Sequence, residues 1–165
     1  MCGWMRRLLN KDMHMKTFYY HRLLSIMLSL LMIASACAKS PLTSQEKKEV
    51  EHFNKAQKLF IESSRYLKKL TSGDFVVGSM SEDERNTYIK MLVDTLTEAK
   101  SVSNDILAKI HPKLPTAYRS IFIPCLENKL CGVRDFDPKA SIQGTILHNE
   151  WIDWWNAHYK KFANI

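Results

Sequence analysis

Strand-forming alternation of apolar and polar residues is nearly absent from this 165-residue chain, which argues against a sheet-based fold. No segment recurs at a fixed period, so a repeat solenoid is not indicated either. Glycine is scarce, at five residues, and no glycine-rich phosphate loop or G-x-S-x-G elbow occurs. The C-x-x-C of thioredoxin-like redox centres, the paired cysteines of structural zinc sites and the C-x-x-C-H of c-type haem attachment are all missing. H-E-x-x-H is missing too. His148 and His158 lie nearly three helical turns apart, roughly 15 Å along an axis, too far to share one metal. The acidic groups Glu82-Asp83-Glu84 and Asp135 with Asp137 read as a helix start and a turn rather than a catalytic pair. From these absences we expect no enzyme activity, no metal and no cofactor.

One sign of charge is unevenly placed. The whole chain carries +7, but Arg6, Arg7, Lys11, Lys16 and Arg22 stand near the amino end against a single acid, Asp12. From Cys37 onward nineteen Lys and Arg face sixteen Asp and Glu, a balance of only +3. Lys68-Lys69 and Lys160-Lys161 are isolated doublets of the kind found at solvated helix ends. A nucleic-acid partner, which would want basic residues clustered on one face, is not expected.

What the chain does have is an apolar run at residues 23–33, broken only by Ser25 and Ser29 and preceded by that basic flank. A membrane-spanning helix needs roughly 20 apolar residues and a secretion signal about 7–15, so the run has signal length. The flank is long for a signal, and Met15 would open a more ordinary one, MKTFYYHRLL. The segment ends on Ala34-Ser35-Ala36-Cys37. This resembles the lipobox of bacterial lipoproteins, with Ala34 where leucine is usual. The resemblance implies cleavage before Cys37, a diacylglycerol on its sulfur and a membrane anchor. Ala38 in the following position, rather than aspartate, implies passage to the outer membrane, facing the periplasm. Two other readings stay open: an ordinary A-x-A cleavage leaving a soluble periplasmic protein, and an uncleaved anchor with Tyr19 and Tyr20 at the interface. On the leading reading, residues 1–36 are signal, 37–45 a tether and 46–165 one helical domain.

Removal of the signal and lipidation of Cys37 would leave Cys125 and Cys131 as an even pair in an oxidising compartment, where a disulfide is expected. Six residues of continuous helix rotate by about 600°, which would point the thiols some 120° apart. The intervening LENKL is therefore expected to turn back and fix a corner between helices.

The domain itself reads as all-α. Thr43 and Glu46 have capping-box spacing, followed by apolar residues at Val50, Phe53, Ala56, Phe60, Leu67 and Leu70. Residues 71–80 form a loop between Gly73 and Gly78. Ser81 and Glu84 make a second capping box before a helix running to Ile110, which His111-Pro112 ends. A short helix from Pro115 to Ile123 is expected, closed by Pro124. Asp137-Pro138 caps a last long helix, weakened at Gly144 by about 1 kcal/mol relative to alanine. Three long helices and one short one suggest a small antiparallel bundle.

In the last helix, Trp151, Trp154, Trp155 and His158 cannot all face one core seam. At least one indole is therefore expected at the rim of what reads first as a heavy core anchor; in the competing functional reading Trp151, Trp154, Trp155 and Tyr159 form the candidate binding face. The functional expectation is a tethered envelope protein that works by contact with another, unidentified envelope protein. It would be an assembly subunit, or an immunity or exclusion factor. The alternative is a periplasmic small-ligand binder with a pocket between Trp151, Trp155 and Phe75, Val76 and Val77. Amino-terminal sequencing of the unprocessed precursor is expected to begin at Met15; a precursor beginning at Met1 would refute that start.

Overall fold

A computed structural model describes residues 42–70 and 80–162, the backbone alone from 159 on. The expected export segment, Cys37 and most of the expected tether, residues 71–79 of the expected loop and the Tyr159 side chain lie outside the described residues. Everything described is helix or connecting turn, with no strand among the described residues. No described helix is long and apolar enough to cross a membrane.

Helix α1 (Ser44–Leu70) begins as its sequence predicts. The Thr43 backbone N–H donates to Glu46 at 2.7 Å, and the Glu46 N–H donates to the Thr43 hydroxyl at 3.2 Å, so two end groups satisfy each other. Ser81 and Glu84 repeat the device at the start of α2 (Glu82–Lys100). This second helix does not run on to Ile110 as expected. It stops at Ser101, whose hydroxyl donates to the Thr97 carbonyl, and Ser103 turns outward to accept the Ile106 N–H. A new short helix, α3 (Asn104–Ile110), starts there. Serines favour such ends because their hydroxyls compete for backbone groups. Glu49 on α1 accepts the Ser103 N–H at 3.0 Å, tying the break to the first helix.

The larger departure lies further on. The expected short helix and returning cysteine loop are instead one helical rod: α4 (Leu114–Ala117), a π-helical turn (Tyr118–Phe122) and α5 (Ile123–Arg134). Proline at position 124 lacks an N–H, and in regular helix its ring would meet the carbonyl four residues back, that of Ser120. The wider π turn removes that conflict, and the Ile123 N–H bonds to the Tyr118 carbonyl five residues earlier. The helix continues past Pro124, so LENKL does not turn back. Cys125 and Cys131 sit on different faces of α5 as free thiols, Cys125 buried and Cys131 half-buried. The expected disulfide is thus overturned by helix geometry.

After α5, Phe136 takes a left-handed backbone conformation, φ 54°. Asp137 then caps α6 (Pro138–Phe162) by accepting the N–H groups of Lys139 and Ala140 at 2.8 and 3.2 Å. Helices α5 and α6 return on each other at very close range through two glycines. A methyl at Gly132 would lie 2.8 Å from the Ser141 nitrogen, and one at Gly144 would lie 2.9 Å from both the backbone nitrogen and Cγ of Lys129. Elsewhere α1 packs along α2, and α2 against α5. The core between them is dominated by Phe53, Tyr88, Leu92, Tyr118, Phe122, Trp151 and Trp155.

Replacing Gly144 by alanine removes a helix-weakening residue but drives a methyl into backbone. We expect the steric term to win, with a net loss of about 1–3 kcal/mol in chemical denaturation. A variant at least as stable as the parent would show that α5 and α6 do not approach this closely.

Candidate functional site

The predicted aromatic face divides in two. Trp151 and Trp155 are each 1 % exposed and belong to the core. The ring of Trp151 lies 4.7 Å from Phe122 and 6.0 Å from Tyr118, and that of Trp155 6.2 Å from Phe53, measured between centroids. Indoles enclosed in this way do not wall an open pocket. Phe75, Val76 and Val77, the expected opposite wall, lie outside the described residues, as does the side chain of Tyr159.

Trp154 is the rim indole. It stacks on Trp151 at 5.6 Å and on His158 at 4.3 Å, and His111 from the turn after α3 approaches both Trp154 and His158 edge-on. His158 Nδ1 donates to the Trp154 carbonyl at 2.8 Å, whereas His111 Nδ1 accepts the Lys113 N–H at 3.2 Å. Because a carbonyl only accepts and a backbone N–H only donates, the neutral rings are opposite tautomers. The Nε2 of His111 carries hydrogen and that of His158 carries a lone pair. The stack closes the corner between the α3 turn and the end of α6.

Between α1 and α2, His52 and Lys55 each lie 2.6 Å from the Glu98 carboxylate. Hydrogen bonding from His52, then Lys55, holds that carboxyl below its usual range. Such a network clamps α1 to α2. No group of three or more metal-ligating side chains occurs among the described residues.

Sequence reasoning missed a second cluster, in the α5–α6 seam. The Cys125 thiol donates to the Gly144 carbonyl at 3.4 Å, and burial pushes it up to about 11. Lys129, one turn along α5, threads its stem past Gly144. His148, one turn beyond Gly144 on α6, packs its ring 5.0 Å from that of Phe60 on α1. Burial, and then the nearby Lys129 charge, press His148 down to about 3. Burial likewise lowers Lys129. Its amine has no ion pair or hydrogen bond among the described residues, and His148 Nδ1 is buried with no hydrogen-bond partner among them. Only the i, i+4 spacing of Cys125 with Lys129 and of Gly144 with His148 hinted at this cluster. Their meeting depends on the helix continuing past Pro124.

Two outcomes follow. Truncating Trp151 or Trp155 to alanine is expected to cost about 3–5 kcal/mol, and truncating Trp154 about 1 kcal/mol, in denaturant unfolding; equal losses would place Trp154 in the core as well. Stability is also expected to fall as pH drops below about 6.5, where an unfolded-chain histidine takes up a proton that folded His148 refuses. The slope reaches about 1 kcal/mol per pH unit and persists towards pH 3. His148→Phe should flatten it, and a slope unchanged in that variant would assign it elsewhere.

No family model matches this chain, and no curated protein or solved structure matches it either. What it does must be read from its own side chains.

Proposed function

We propose that the chain is a membrane-tethered helical lipoprotein of the bacterial cell envelope that acts by protein–protein contact. It would serve as an assembly subunit or as an immunity or exclusion factor. The resemblance of residues 34–37 to a lipobox supplies the tether, through a lipid on Cys37. Consistent with an antiparallel bundle, α5 returns on α6, and Glu46, Glu49 and Glu98 meet α1 partners or the following segment in reversed order.

The observation that carries the contact reading is a pair of large apolar residues facing away from the core. Ile142 and Ile146, one turn apart on α6, are 62 % and 46 % exposed. At about 100° per residue they point opposite Gly144, His148, Trp151 and Trp155. Phe136, 58 % exposed, stands at the turn that leads into the same helix, with the Arg85 guanidinium 4.7 Å over its ring. A bulky residue held at positive φ and in solvent is strained without burying its ring, which suits a contact surface better than a core. These residues offer an apolar surface that the core-packed Trp151 and Trp155, two of the four candidate binding-face residues, do not.

The test has two parts. Intact mass of membrane-extracted protein is expected to match a chain beginning at diacylglyceryl-Cys37 with both remaining thiols reduced. An unmodified chain cut nearby would remove the tether. A photo-crosslinking residue at 142 is expected to trap one discrete envelope protein, with the adduct lost on Ile146→Lys while the melting temperature is unchanged. Absence of any adduct, or one indifferent to that substitution, would refute the contact surface.

A further inference from the structure

The outward stripe of α6 carries an ordered charge pattern around its two isoleucines. Ile142 and Ile146 stand two residues either side of Gly144. Lys139, exposed, lies five residues before that midpoint, and Glu150, exposed, lies six residues after it. No Lys, Arg, Asp or Glu falls between them. Neither makes an ion pair among the described residues. Along the helix axis they sit about 7.5 Å and about 9 Å from the midpoint, in opposite directions. Around the axis both project on one flank of the stripe, about 40° and about 60° from the direction opposite Gly144. Asp153, also exposed, lies on the centre line three residues further on.

We propose that this stripe pairs with itself: α6 of one copy of the chain packs antiparallel on α6 of a second copy, about a two-fold axis level with Gly144. Such an axis turns the stripe end for end and keeps each flank on its own side. Ile142 then interdigitates with Ile146 of the second copy. Lys139 comes level with Glu150 of the second copy to within about 1.5 Å along the axis, on the same flank. Symmetry makes that ion pair twice. Asp153 is carried to the end of the second copy where Arg85 covers Phe136, a further attraction of the same kind. A parallel pair would instead bring Lys139 level with Lys139 and Glu150 level with Glu150, and like charges facing each other weaken association. The occupant follows from this pattern, because charges that match themselves on reversal are what a second copy requires and a foreign partner does not. The inference rests on reading the α6 outer face as a contact surface, and it narrows the partner to this same chain. An apolar centre of two isoleucines per copy is small, so the pair is expected to be reversible.

Photo-crosslinking from position 142 in the full chain, in its own membrane, captures a reversible pair. The expected adduct has the mass of two chains, with the bond mapped to the neighbourhood of Ile146 in the second copy. Lys139→Glu and Glu150→Lys, each expressed alone, are expected to lower its yield about tenfold, with the melting temperature unchanged. Expressing the two variants together should restore the adduct, since Glu at 139 then meets Lys at 150 and the native Glu150 meets the native Lys139. A discrete adduct with a different protein would overturn self-pairing and leave the contact surface standing, whereas no adduct at all would overturn both. A two-chain adduct that ignores the single reversals, or that co-expression does not restore, would also overturn the proposal.

Discussion

Past Pro124 the backbone stays helical because it widens for one turn, and most of the domain depends on that accommodation. Had the helix ended at the proline, α5 would not exist as a straight rod for α6 to fold back on. The same turn carries Tyr118 and Phe122 into the centre of the aromatic core, where they meet Phe53, Phe60 and Trp151. Regular helix could not tolerate proline there without losing a bond and straining the chain by about 3 kcal/mol. The π turn meets that constraint through backbone geometry alone.

Close helix approach is the second constraint, and it is distributed differently. Gly132 and Gly144 let α5 and α6 meet backbone to backbone, so the seam is built from small groups, a thiol and a lysine stem rather than from large apolar side chains. The bulky Trp151 and Trp155 follow on the same face of α6 further along the helix, where they meet α1 and the π turn. Helix α6 thus has one inward face, which passes along its length from a tight seam to an aromatic core, and an outward stripe carrying Ile142 and Ile146.

Much of the helical framework could be read from the sequence, since capping is local chemistry. Thr43 with Glu46, Ser81 with Glu84, and Asp137 before Pro138 each mark a helix start that the structure places as expected. The rim position of one indole followed from 3.6-residue periodicity, and Trp154 holds it. Two expectations fail together: Pro124 does not end its helix, and LENKL does not turn back to pair Cys125 with Cys131. Whether a proline ends a helix or is absorbed by a wider turn depends on tertiary packing of the neighbouring rings, which periodicity does not register. The Lys129–His148 cluster was hidden for the same reason, as its members lie on two helices whose register depends on that turn.

A π turn also has an angular consequence. It inserts one residue into the helical count, so every side chain after Phe122 is rotated by about 100° relative to those before it. Tyr118 and Lys129 therefore face their partners in different phases of a single rod. Shortening the turn by one residue would leave each helix internally intact while turning Cys125, Lys129 and Gly132 together away from α6. The domain's interior is in this sense timed by a single widened turn.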